Sequence, residues 1–336
     1  MKKSPAAFAA TKLAFFALSA LIALVAVSCG SDSADNSDSV DNSDATVTTT
    51  SLVALSTVSP ATDDFPVTIT DQIGEMAIDV RPERVISLSA TATEMLFAVG
   101  AGEQVVAVDS FSNYPPEAPT TDLSGFQPNI EAIASYEPNL VVISYDTGGL
   151  VDGLKSLGAD VIVFSAAATL DDAYDQIEAI GTATGHSDEA AEVISDIEDS
   201  IDEIVSSLDL PAEPFSYFLE LDPSYYSVTS DTFIGQIFAL AGLESIADAA
   251  GGTSSYPQLS EEFILDQNPD FIILTDCCGS NLETVSARPG WSELDAVQGK
   301  RVLVFSADVT SRWGPRVIEM LETVSEAVAN QLVAVS

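Results

Sequence analysis

The sequence predicts an α/β protein made of two Rossmann-like lobes joined by a single long backbone helix. Three observations predict it. Short apolar runs of strand length alternate with helix-length segments, the pattern of α/β units with parallel pairing. One long helical stretch with an apolar stripe sits in the middle of the chain. The chain also repeats itself. PNIEAIASYEPNLVVISYD, from Pro128, returns as QLSEEFILDQNPDFIILTD from Gln258, and Glu131 and Glu262 occupy matching places 131 residues apart.

The N-terminus precedes the folded region. Residues 1–28 read as a secretory signal: Lys2, Lys3 and Lys12 are basic, and LAFFALSALIALVAV is an apolar run of fifteen residues. A membrane span needs roughly 20 residues, so the run suits a signal core better. It ends at AVSC, which resembles a bacterial lipobox, with Cys29 as the lipidated residue. Lipidation would anchor the chain to a membrane without spanning it. The Ser/Asp/Thr-rich stretch that follows is too polar to offset the entropy of ordering, so residues 29–62 read as a lipidated cysteine plus a disordered tether. The remaining length, about 275 residues, suits two lobes.

The first lobe is expected over residues 63–185. PVTITDQIGEMAIDV alternates around Gly74 as a hairpin. RVISLS, VVAVDS, LVVIS and VIVFS read as strands. TATEMLFAVGAG is a helix stopped by glycine, PNIEAIASYEP a short helix capped by Asn129, and LVDGLKSLG another helix. LDDAYDQIEAIGTATG follows as a helix. The bridging helix spans residues 186–209, with Ser187 as its cap. Ala190, Ile194, Ile197, Ile201, Ile204 and Leu208 form one stripe against an acidic face. The second lobe, residues 210–336, opens with the strand FSYFLEL and the helix DTFIGQIFALAGLESI. SEEFILDQNP (a helix), FIILTD (a strand) and a further helix and strand in WSELDAVQGKRVLVFS follow. An amphipathic helix, VIEMLETVSEAVANQLV, closes the chain.

Two related lobes leave a cleft, a favoured place for ligands. In open α/β sheets the ligand side lies beyond the strand C-termini. The residues expected there are Ser89, Thr91, Ser112, Tyr114, Phe126, Gln127 and Tyr145 from the first lobe. The second lobe supplies Asp222, Tyr225, Tyr226, Thr232, Tyr256, Cys277, Cys278 and Trp313. Rings and hydroxyls dominate, which suits a large, partly apolar ligand. Glu131 and Glu262 each fall two positions beyond a helix cap, where a carboxylate is stabilised by the helix dipole. As a matched pair they could also present two acidic knobs to a two-fold partner offering arginines.

Composition excludes several classes. The formal charge is −41, with 52 acidic and 11 basic residues, so a nucleic-acid ligand is not expected. His186 is the chain's one histidine and reads as solvated, just before a helix. A zinc site is disfavoured, no G-x-S-x-G occurs, and an enzyme is not expected. No D-x-D-x-D-G calcium loop occurs. Cys277 and Cys278 are either two thiols or a strained vicinal disulfide.

The stretches TITDQIGEMAIDVRPERVISLSATATEMLFAVGAGEQVVAV, NYPPEA, PNIEAIASYEPNLVVIS, YPQLSEEFILDQNPDFIIL, RPGWSELDAVQGKRV and SRWGPRVIEMLE, in this order, resemble the periplasmic-binding proteins of iron-chelate and cobalamin ABC importers. The resemblance runs from about Val67 to Val328. It implies the helical-backbone metal-chelate receptor type: two lobes with limited hinge motion, capturing a chelate and delivering it to a permease. It implies that Glu131 and Glu262 pair with arginines of an ABC permease dimer. A ferric siderophore is the expected cargo, with cobalamin or haem as the alternative, and a ligand sensor uncoupled from transport ranks below these. No cofactor beyond the carried chelate is expected. The receptor is expected to be a monomer, extracytoplasmic or periplasmic, held at the outer face of the membrane by its lipid. Arg312 is the arginine placed near the cleft, and Trp313 departs from the proline common at that position in the family. Haem would need a tyrosine ligand such as Tyr114, Tyr145 or Tyr225.

Overall fold

The computed structural model describes residues 65–210, 212–276 and 279–335. The signal, Cys29, the tether and the Cys277–Cys278 pair lie outside the described residues.

An antiparallel hairpin comes first, β1 (Val67–Asp71) and β2 (Gly74–Ile78), with Val67 opposite Ile78. Asp71 closes its turn: Oδ1 accepts from the amides of Ile73 and Gly74. Its other oxygen accepts from Val163 N at 2.8 Å, which ties the hairpin to the first lobe.

The first sheet contains β3 (Val85–Leu88), β4 (Val105–Val108), β5 (Leu140–Ile143) and β6 (Asp160–Val163), in the order β4-β3-β5-β6. The second contains β7 (Phe215–Glu220), β8 (Leu243–Ser245), β9 (Phe271–Thr275) and β10 (Val302–Phe305), in the order β10-β9-β7-β8. Read from the other edge, the second order is the first one again. Every pairing in both sheets is parallel. The repeated phrase is thus one α/β plan built twice. β3, β5 and β9 are buried on both faces, as continuous apolar runs in parallel sheets require. Burying each Val, Ile or Leu there contributes on the order of 1.5–3 kcal/mol.

The helices repeat as well. α1 (Ala90–Ala98), α2 (Ile130–Ala134) and α3 (Leu150–Lys155) belong to the first lobe. After the connecting α4 (Leu170–Thr184) and α5 (Ser187–Ser207), the second lobe adds α6 (Phe233–Leu240), α7 (Glu261–Gln267), α8 (Leu282–Ser286), α9 (Asp295–Gln298) and α10 (Ala307–Thr310), and α11 (Val317–Val335) closes the chain. The expected long helix is α5, and its stripe is buried at Ala190, Ile197 and Ile201. α4 packs along it, entered by a Thr169–Asp172 capping box and ended by Gly185 at φ 74°, a left-handed conformation that glycine adopts without strain. One apolar core runs from the first sheet through α4, α5 and α11 into the second sheet.

Three local expectations need correction. The cap of α5 is His186, and Ser187 is its first helical residue. His186 is not solvated: it is half-buried, and its ring meets Arg81 Nη2 at 2.9 Å and Gln104 Oε1 at 3.1 Å. The helix read through LAGLESI stops at Leu240, where Ala241 and Gly242 (φ 79°) break it and Leu243–Ser245 pairs beside β7.

Candidate functional site

The ligand side forms where the strands end. Ser89 follows β3 and caps α1, its Oγ accepting from Ala92 N at 3.3 Å. Asp109 follows β4, and Ser144 and Tyr145 follow β5. Two hollows open at these ends, of about 270 and 280 Å³. The first is walled by Ser89, Thr91, Asp109, Phe111, Phe126, Ser144, Tyr145 and Asp308. The second is walled by Ala166, Ala167, Leu221, Phe233, Ile234, Tyr256, Thr275 and Ala307. Ser311, Arg312 and Trp313 belong to both, so the segment after α10 is their shared wall. A larger hollow, about 640 Å³, lies between the hairpin, the end of β6 and α4, walled partly by Asp71, Asp172, Asp175 and Glu178. It opens on one lobe, whereas the paired hollows join both.

The structure therefore brings Ser89, Thr91, Phe126, Tyr145, Tyr256, Arg312 and Trp313 together. Trp313 is fixed by its indole N–H, which donates to Gln176 Oε1 of α4 at 2.8 Å. Gln176 in turn donates to Ser165 O, so this wall is braced against the first lobe.

Other expected residues fall outside the hollows. Tyr114 lies under the Arg316 guanidinium, 4.2 Å from the ring centroid. Gln127 is exposed beyond Phe126. Tyr225 is corrected most clearly: at φ 66° it stacks on the buried Trp291 at 5.8 Å, with Arg288 beside both rings. Arg288 is held by a bidentate pair with buried Glu220. Burial, then the nearby Glu261, pushes the Tyr225 phenol up. Tyr226 is exposed and pairs its backbone with Gln258. Ser112 is buried against Asp109, Asp222 caps Ser224, and Thr232 caps α6.

Sequence reasoning missed Asp109 and Ser144 of the first hollow, most of the wall of the second, and three residues that shape the site. Phe111 stands edge-on to Phe126 at 5.5 Å, and with Tyr145 it makes an exposed aromatic rim. Its ring was hidden in the polar-looking stretch DSFSNY. Glu94 and Asp308 are the others, because both answer Arg312. Arg312 Nη1 donates to Glu94 Oε1 at 2.6 Å, and Nη2 lies 2.9 Å from Asp308 Oδ1. Nη2 also donates to Asn113 Oδ1 and Phe111 O. The Arg312–Glu94 pair thus joins the second lobe to the first. Glu94 is buried in α1, and burial raises its carboxyl above the ordinary range while Arg312 and Arg316 pull it back.

Glu131 and Glu262 stand where the repeat placed them. Asn129 and Ser260 cap α2 and α7 with side-chain oxygens, and each glutamate is the second residue beyond its cap. Both are exposed, and neither makes an ion pair among the described residues. The neighbouring Glu261 differs: it accepts the Trp291 indole N–H at 2.9 Å.

Two parallel-sheet lobes, a shared core and a ligand-sized cleft at the strand ends define a two-lobed binding protein. The chain belongs to the periplasmic binding protein family, whose model matches residues 85–309. An uncharacterized ABC transporter substrate-binding lipoprotein of Bacillus subtilis is 30% identical over 283 residues, covering 81% of this chain and 88% of that protein. A cobalamin-binding protein of Halobacterium salinarum is 32% identical over 279 residues, covering 79% and 75%. The crystal structure of the periplasmic vitamin B12 binding protein BtuF of Vibrio cholerae is similar with a TM-score of 0.60 at 26% identity, covering 74% of this chain and 96% of that one. The family is one of substrate-binding, transport-associated proteins and not of enzymes. Among the described residues no helix is long and apolar enough to cross a membrane.

Proposed function

We propose that the chain is the extracytoplasmic receptor of an ABC importer, held to the membrane by a lipid on Cys29, and that its cargo is a corrinoid of the cobalamin class. The observation that carries the cargo assignment is the charge of the cleft. Among the described residues walling the two hollows, Arg312 is the one cation, and Glu94 and Asp308 both neutralise it. The rest of the wall is aromatic, aliphatic or hydroxylic, apart from Asp109 and Asp308. Such a surface favours a large neutral or cationic ligand with apolar faces. Its described walls offer no unpaired cation to an anionic catecholate chelate or to the carboxylates of haem. Tyr225 is also a poor axial ligand for haem, since its phenol is raised and its ring is stacked away from the hollows. The ferric siderophore expected first from sequence therefore yields to the corrinoid, in line with the cobalamin-binding relatives. A neutral ferric hydroxamate is the second reading, favoured by the same lack of a free cation.

Glu131 and Glu262 would dock the two lobes on the two halves of a permease through arginines. Their exposure at identical places on duplicated helices supports this. The test is uptake of labelled cyanocobalamin into vesicles carrying the cognate permease. Addition of the receptor should drive accumulation. The double variant E131A/E262A should keep its ligand affinity and lose uptake by tenfold or more, about 1.4 kcal/mol of docking energy. Lost affinity, or full uptake by the double variant, contradicts the docking role.

A further inference from the structure

We infer that Asp308 sets the cargo class of this cleft: its carboxylate cancels Arg312 on the ligand side and so turns anionic chelates away. The inference rests on the corrinoid reading and deepens it by naming the residue responsible.

Arg312 has two carboxylate partners with different surroundings. Glu94 is 1% exposed at its side chain and sits behind Arg312 in α1. Asp308 is 46% exposed at its side chain and shares the wall of the first hollow with Arg312. Glu94 thus keeps the guanidinium neutralised within the protein, while Asp308 meets whatever enters. Asp308 is also held in place: Asn113 Nδ2 of the opposite lobe donates to its Oδ2 at 2.7 Å. The same Asn113 accepts from Arg312 through Oδ1, so three side chains from two lobes are joined beside the first hollow.

Holding Arg312 does not by itself require the full carboxylate of Asp308. Its side-chain contacts are Oδ1 with Arg312 and Oδ2 with Asn113; an asparagine keeps an oxygen for Arg312 but gives up the bond from Asn113, because its NH2 cannot accept. The amide would also lack the negative charge. At close range that charge repels an entering anion, and because Asp308 is half-exposed the repulsion is weakened by salt. A surface ion pair formed for stability alone would contribute little, and its removal would leave ligand choice unchanged.

The test compares wild type, Asp308→Asn, Asp308→Ser and the control Glu192→Gln, which removes one charge from the exposed face of α5. Affinities are measured calorimetrically for a trianionic ferric tricatecholate and for cyanocobalamin, at low and high salt. Asp308→Asn should tighten the tricatecholate about tenfold or more, and the gain should shrink as salt rises. Asp308→Ser should move the same way, and in both variants the ratio of tricatecholate to cyanocobalamin affinity should rise about tenfold or more. A gain no larger than that of Glu192→Gln overturns the inference. The corrinoid reading fails separately, if no form of the protein binds cyanocobalamin. In that case a salt-sensitive gain for the trianion still upholds the role of Asp308.

Discussion

Glu94 shows how one residue joins stability to specificity. It is buried, takes Arg312 at 2.6 Å and Arg316 at 3.4 Å, and has one oxygen without a hydrogen-bond partner among the described residues. Glu94→Ala would strand Arg312 with Asp308 as its remaining carboxylate. The expected cost is on the order of 3 kcal/mol, read from denaturant midpoints. Glu94→Gln keeps an acceptor and should cost less at neutral pH. The two proteins should also differ with pH. The folded carboxyl titrates above its unfolded value because of burial. Its contribution is therefore complete below the unfolded pKa and is lost as pH rises through the folded one. The advantage of wild type over Glu94→Gln should shrink as pH rises from acid toward neutral; an advantage that grows would show that the arginines outweigh burial. None of this was legible in the sequence, because Glu94 and Arg312 are 218 residues apart and meet only once both lobes have folded.

At the scale of elements, much was legible. The strands were visible as short apolar runs because parallel sheets bury both faces. The starts of α2 and α7 were visible because Asn129 and Ser260 are capping residues placed before apolar periodicity. The missed strand β8 had a signal in the repeat: its first-lobe counterpart of LAGLES runs from a helix through Gly100 into β4. Tyr225 was misplaced because its partner Trp291 lies far along the chain. The aromatic rim depends on an equally hidden contact. A Cβ on Gly125 would lie 2.3 Å from Leu88 O at the end of β3. Gly125→Ala must push the loop, and with it Phe126, off the sheet. It should lose about 1–3 kcal/mol of stability and weaken cargo binding, measured by denaturation and titration together. Unchanged binding in a destabilised variant would remove Phe126 from the site.

Across the whole molecule, duplication explains the architecture. Two copies of one α/β plan place their strand C-termini on a common cleft, and a continuous core through α4, α5 and α11 holds the copies together. The same duplication gives the outer surface its paired glutamates. The formal charge of −41 agrees with a cleft whose described walls carry one cation, Arg312, already paired with Glu94 and Asp308. The most direct measurement is native mass spectrometry of the purified chain, mixed with equimolar cyanocobalamin, neutral ferric hydroxamate, ferric tricatecholate and haemin. The account predicts one corrinoid bound per protein, with the tricatecholate and haemin left free. Occupancy by either anionic ligand, or an empty protein that still unfolds cooperatively, would contradict it.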